Sequence, residues 1–142
     1  SENKIIKDGF NLYIYSTNAG NLKHIEKQYE IYLKHEAGKY FKTITDQYYP
    51  LIEKFAISKP FLTVKKMKSK WGSCIPGQKK ITLNLSLFKT SQLCVRYVVL
   101  HEMAHLIYSG HDKKFYDFLK QHMPDYRAVE KTLDYRMARL LY

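Results

Sequence analysis

At 142 residues the chain is long enough for one compact domain with its own apolar core and too short for two of ordinary size. Hydrophobic residues make up 45%, and Lys and Arg outnumber Asp and Glu by 24 to 13, a formal charge of +11, which describes neither a disordered nor an acidic chain. No stretch approaches 18 consecutive apolar residues, and SENKIIKDGFNLYIY lacks the basic, apolar and small-residue succession of a secretory signal, so neither a membrane span nor a signal peptide is visible.

Residues 4–15 have the character of a short extended segment, with Phe10, Leu12 and Ile14 on one face and Asp8-Gly9 as a turn before them. From Asn21 the apolar period changes to three and four: Leu22, Ile25, Tyr29, Tyr32 and Leu33, then Ile44, Tyr48, Leu51, Ile52 and Phe55. This predicts one long helix over about residues 21–56, or two meeting near Gly38, kinked near its end by Pro50 and closed by Ser58-Lys59-Pro60. Two β-branched, alternating runs follow, FLTVKKMK (61–68) and KITLNLSL (80–87), with Pro76-Gly77 between them, and together they predict a β-hairpin. Thr90-Ser91 caps a helix of about residues 91–109, which Ser109-Gly110 ends. Asp112 caps another bearing Phe115, Phe118, Leu119 and Met123, and beyond Pro124 a last helix carries Tyr126, Val129, Leu133, Met137 and Leu140. The division expected from these patterns is a short extended segment over 1–20 and one domain over 21–142.

The segment that carries chemistry is VRYVVLHEMAHLIYSGH, residues 95–111. Around the motif the helix is apolar on nearly every side, which marks it as buried, so its polar residues require partners. His101 and His105 stand one turn apart, with Cβ atoms roughly 5–6 Å from each other, a span two imidazoles can close on one metal ion. Glu102, offset by about 100° around the helix, is directed past the ligands toward where a metal-bound water would lie, the placement of a general base. A catalytic zinc takes three protein ligands and leaves the fourth place to water. His111 is the leading third ligand, with Gly110 before it expected to let the chain swing back through positive φ; a carboxylate such as Asp117 is the alternative, and a solvated loop histidine the non-ligand reading of His111.

VKKMKSKWGSC (64–74), ITLNLSL (81–87) and YVVLHEMAHLIYSGHDKKFYDFLKQHMPDY (97–126) closely resemble the YgjP-like metallopeptidases, a group related to the SprT-like and WLM zincins. The resemblance covers about residues 30–135. It implies an α+β, zincin-like minimal core: a long helix, a small sheet, the metal helix carrying HExxH, and C-terminal helices. It also implies His101, His105 and His111 as ligands of one Zn²⁺ per chain and Glu102 as catalytic base. This chain departs from the family's usual pattern at Lys70, where Arg commonly precedes Trp-Gly-Ser-Cys, and a point charge does not replace a bidentate fork. A second departure is the short stretch before the long helix, about twenty residues.

The expected activity is hydrolysis of peptide bonds by Glu-assisted attack of zinc-bound water on peptide or protein substrates. Donors for the developing oxyanion are expected from Tyr97, Tyr108 or a backbone N–H of Trp71–Cys74, and Trp71 itself is expected to anchor its loop. By analogy with zincins that align a peptide on a sheet edge, the strand with Thr82, Leu83 and Asn84 is expected on the substrate side. Two other readings stand beside this one. A metal-dependent nucleotide pyrophosphatase would use the lysines at 65, 66, 68, 70, 79 and 80. A DNA-associated protease or binding module would use the lysine-rich surface as a nucleic-acid partner face, although twenty Lys against four Arg favours a solvated surface over base readout. Cys74 and Cys94, too few for a disulfide scaffold, predict reduced thiols in a cytoplasmic protein.

Overall fold

The computed structural model describes residues 4–8, 11–15 and 21–141. The chain divides into two compact units, residues 1–36 and 37–142. In the first, β1 (Lys4–Asp8) pairs antiparallel with β2 (Asn11–Tyr15), Lys4 opposite Tyr15 and Asp8 opposite Asn11. The extended segment is therefore a two-stranded hairpin; Phe10 of the expected apolar face lies outside the described residues, as do the side chains of Leu12 and Ile14.

Helix α1 (Leu22–Tyr48) begins where the Asn21 side chain accepts a hydrogen bond from the His24 N–H at 3.2 Å. It runs unbroken through Gly38, so the single-helix alternative holds. Pro50 ends it: without an N–H the proline cannot continue the ladder, and it starts a separate turn, α2 (Pro50–Glu53). The N–H groups of Ile52 and Glu53 both bond to the Tyr49 carbonyl. In the second unit, Ala37, Phe41, Ile44 and Thr45 form the buried face of α1.

The sheet differs from the predicted hairpin. β3 (Phe61–Lys65) pairs parallel with β5 (Lys80–Asn84), and β4 (Gly72–Ile75) pairs antiparallel with it, giving the order β3-β5-β4. Pro76-Gly77 does make the turn, as a single 3₁₀ turn closed by Lys79 in the left-handed region, but the strand before it is β4. Gly-Ser-Cys-Ile has little strand propensity of its own; its extended form comes from pairing with β5 and packing against α3 (Gln92–Ile107). β5 is thus the middle strand, not a substrate-side edge.

Four of the five β5 residues are buried, and the two polar ones are satisfied. Thr82 Oγ1 lies 2.8 Å from Thr63 Oγ1. Asn84, fully buried, donates to the carbonyls of Met67 and Lys70 at 3.0 and 2.8 Å and accepts from the Ser86 N–H at 3.0 Å, so one carboxamide holds the loop that leads into β4.

Ser91 caps α3 by accepting from the Cys94 N–H, and Asp112 caps α4 (Lys113–His122) by accepting from the Phe115 N–H. After α4 comes α5 (Tyr126–Leu141), and α3 packs against β4, β5, α2, α4 and α5. Val95, Val99, Leu100, Met103 and Ala104 on α3 are fully buried with Ile81, Leu83, Phe115 and Leu119 around them. Both cysteines are free. No helix among the described residues is long and apolar enough to cross a membrane.

Replacing the buried Asn84 with Ala removes its bonds to two part-buried carbonyls and an N–H. Asn84→Ala should lower stability by about 2–4 kcal/mol in urea denaturation; a loss below about 1 kcal/mol would remove the structural role given to this carboxamide.

Candidate metal centre

Three imidazoles converge at the end of α3. His101 and His105 come from adjacent turns and His111 from the loop that follows, and one ring nitrogen from each lies within 4.8 Å of the others. His105 Nε2 and His111 Nε2 are 3.0 Å apart. Two ligands at about 2.0–2.1 Å on a tetrahedral ion stand about 3.3 Å from each other, so this donor set fits a small divalent cation.

The return of the chain to the site does not use Gly110. The helix ends at Tyr108, which is extended at φ −120° and ψ 116°, and a Cβ on Gly110 would meet open space with no left-handed φ to relieve. The Tyr108 carbonyl lies 3.3 Å from His105 Nδ1. A carbonyl only accepts, so Nδ1 carries the proton and Nε2 presents its lone pair to the cluster. The Tyr108 ring packs on Phe118, with centroids 6.1 Å apart.

Beneath the imidazoles lies Phe115, fully buried, with its centroid 5.0 Å from that of His101, 4.6 Å from that of His105 and 5.0 Å from that of His111. One apolar ring therefore floors all three. Its place follows from the Asp112 cap, which starts α4 directly after His111. Burial, with the two neighbouring imidazoles, pushes His101 down to about 4, and burial also lowers His105. Both rings are neutral at pH 7, the state a metal requires. Burial decreases from His101 and His105, half-buried, to His111, exposed, so the cluster opens to solvent on the His111 side. Asp117 is apart from this group, 63% exposed and 3.6 Å from Lys113 Nζ.

Glu102 is only 6% exposed, and burial pushes its carboxyl up to about 7 against the opposing pull of Lys70. It lines a cavity of about 280 Å³ together with His101, Tyr97, Lys70, Trp71, Gly72 and, from α5, Glu130, Leu133 and Asp134. Gly72 makes the wall possible: a Cβ there would stand 2.9 Å from Val98 Cγ1 and 3.2 Å from both Glu102 Cγ and the Thr82 carbonyl. The Trp71 indole N–H donates to the Leu133 carbonyl at 3.0 Å and ties this wall to α5, as an anchoring tryptophan would.

Of the residues expected to act around the histidines, Tyr97 is nearly buried; its hydroxyl donates to Glu130 Oε2 at 2.9 Å and lies 3.4 Å from His101 Nδ1. Burial and the Glu130 carboxylate raise its pKa far above the ordinary phenol value. Asn84 is committed to the 67–70 loop instead. Sequence reasoning saw Phe115 only as part of an apolar helix stripe, and it overlooked Glu130 and the steric role of Gly72. Glu130 left one trace, a charge set between Tyr126 and Leu133 on the apolar stripe of α5.

The profile of the YgjP-like metallopeptidase domain family matches residues 1–136. The chain belongs to the YgjP-like metallopeptidase family. This makes it a metallopeptidase-family hydrolase, for which a metal ion is implied. Two solved structures share the fold. The metallopeptidase zymogen abylysin of Pyrococcus abyssi matches with a TM-score of 0.61 and 15% identity, over 68% of this chain and 93% of its own. The metallopeptidase zymogen jannalysin of Methanocaldococcus jannaschii matches with a TM-score of 0.57 and 20% identity, over 68% of this chain and 96% of its own. No curated protein matches. The YgjP-like chain thus has the α+β architecture implied by its sequence: long helix, three-stranded sheet, a helix bearing His101 and His105, and C-terminal helices.

The two glycines should respond differently to a methyl group. Gly72→Ala overpacks β4 against α3 and should cost about 1–3 kcal/mol, whereas Gly110→Ala should stay within about 0.5 kcal/mol of the parent in the same denaturation assay. Equal losses at the two positions would contradict the close approach of β4 to α3.

Glu102 also makes the metal-free protein sensitive to pH. Its folded-state pKa of about 7 lies above the ordinary 4.5, so its contribution to stability is complete below pH 4.5 and is lost as pH rises through 7. In EDTA, Glu102→Gln should gain stability relative to the parent between pH 5 and pH 8 by about 3 kcal/mol. Parallel pH profiles for the two proteins would mean that the carboxyl is not perturbed.

Proposed function

We propose that the chain is a zinc-dependent peptidase in which His101, His105 and His111 hold one Zn²⁺ and Glu102 is the general base. The observation that carries this reading is the placement of three imidazoles around one point with a buried carboxyl on the residue after the first of them, lining the same cavity as His101. Zinc bound there would supply a Lewis acid that polarises the scissile carbonyl and acidifies the attacking water.

The chain's own residues provide the rest. Glu102, with a pKa of about 7, is matched to accepting a proton from water at neutral pH and returning it to the leaving amine. The His105 ring is oriented by the Tyr108 carbonyl, and Phe115 excludes water from beneath the three rings. The Tyr97 hydroxyl and the Asn84 carboxamide are engaged elsewhere, which leaves the Tyr108 hydroxyl or a backbone N–H of Trp71–Cys74 as the oxyanion donor. In this reading residues 21–142 form the metallopeptidase domain. Two free cysteines suit a reducing compartment, and a cytoplasmic location is proposed.

Zinc-loaded protein should cleave unstructured peptides, and Glu102→Gln should reduce kcat by about 10²–10⁴-fold while still binding one equivalent of zinc. Nucleoside triphosphates assayed in parallel for pyrophosphate release should give no signal that depends on Glu102. Peptide cleavage retained in full by Glu102→Gln would overturn the proposed mechanism.

A further inference from the structure

Each histidine that α3 contributes has a different partner on its far nitrogen. For His105 the partner is the Tyr108 carbonyl, supplied by the end of the same helix. For His101 it is the Tyr97 hydroxyl, one turn earlier on α3 and 3.4 Å from Nδ1. A hydroxyl differs from a carbonyl in one respect that matters: it can donate as well as accept, and by itself it would permit either tautomer of the ring.

Glu130 removes that freedom. Tyr97 has a single hydroxyl proton, and it points to Glu130 Oε2 at 2.9 Å. Toward His101 the Tyr97 oxygen is left only as an acceptor, so Nδ1 must carry the ring proton and Nε2 is left bare. We infer that Tyr97 and Glu130 act as a positioning pair, a directed hydrogen-bond chain from α5 through Tyr97 that holds His101 in its metal-binding tautomer. This rests on the proposal that His101 is a zinc ligand. An outer partner that fixes tautomer and ring orientation is a general requirement of metal-bound imidazole, and its loss typically costs about 10–100-fold in metal affinity.

The local structure fits this role. Tyr97 is 6% exposed, so little of it meets bulk solvent. Its ring lies against that of His101, with centroids 5.8 Å apart, which limits rotation of the imidazole. Glu130 is held on α5 between Tyr126 and Val129, both buried, and Leu133, whose carbonyl accepts the Trp71 indole N–H. The last helix is thereby connected to the metal centre twice, once through the ligand's hydrogen bond and once through the wall bearing Gly72.

The pair makes a prediction that packing alone does not. Without Glu130, Tyr97 is free to donate to Nδ1 and would favour the wrong tautomer. Without the Tyr97 hydroxyl, Glu130 has no route to the ring. Zinc affinity measured by competition with a chromophoric chelator should therefore fall about 10–100-fold in Tyr97→Phe and in Glu130→Ala. The double variant should be no weaker than Tyr97→Phe alone, and Glu130→Gln should recover most of the loss, because its amide oxygen still accepts the hydroxyl proton.

Long-range ¹⁵N correlation spectra of the metal-free proteins give a readout independent of zinc and of activity. His101 should be protonated at Nδ1 in the parent and shift toward Nε2 protonation in Glu130→Ala. Unchanged affinity in Tyr97→Phe, additive losses in the double variant, or Nε2 protonation in the parent would each overturn the inference. A parent that binds no zinc yet keeps the Nδ1-protonated tautomer would instead overturn the zinc reading and reduce the pair to a device that orders the ring.

Discussion

Helix α3 is apolar over nearly its whole circumference, yet carries a carboxyl and two imidazoles in its interior-facing turns. Burying these groups is unfavourable unless each is neutral, hydrogen-bonded or coordinated. The surrounding structure answers that constraint group by group. His105 is satisfied by the terminal carbonyl of its own helix and His101 by a side chain on the preceding turn, while Glu102 is shifted toward the protonated form in a cavity walled by a glycine. The same desolvation that costs stability in the metal-free protein lowers the pKa of His101 and His105 and, in the proposed mechanism, brings the carboxyl to a pKa suited to a general base. Stability and chemistry at this site therefore have a common origin.

Three other elements complete the arrangement, each through a specific contact. β4 comes against α3 because Gly72 has no side chain, and it is held there by the Asn84 carboxamide on one side and the Trp71 indole on the other. α4 brings Phe115 under the imidazoles because Asp112 caps it directly after the third histidine. α5 supplies Glu130 and the Leu133 carbonyl. The contacts at Gly72, Trp71 and Phe115 that order the centre also belong to the packed core around α3.

Much of this was legible in the sequence. The helices followed from apolar period and caps: Ser91 and Asp112 start α3 and α4 where their residue types suggested, and Pro50 interrupts the long helix for want of an N–H. The grouping of His101, His105 and His111 was also accessible, because one helical turn separates the first two and the third lies within reach of the helix end. The sheet was misread, and for a physical reason. FLTVKKMK and KITLNLSL have strong strand patterns and do pair, but in parallel, while the strand that makes the hairpin with β5 is Gly-Ser-Cys-Ile, whose propensity is weak and whose extended form is imposed by its neighbours.

What the sequence determined by itself was therefore local: which residues are helical, where the helices begin, and which ionisable side chains share one buried turn. Tertiary packing alone decided the order and direction of the strands, the close approach at Gly72 and the link from Glu130 through Tyr97 to His101. Local periodicity and capping act through neighbours a few residues away and leave a visible pattern. Strand direction, steric clearance and an outer hydrogen bond depend on atoms that meet only when segments far apart in the chain are packed together.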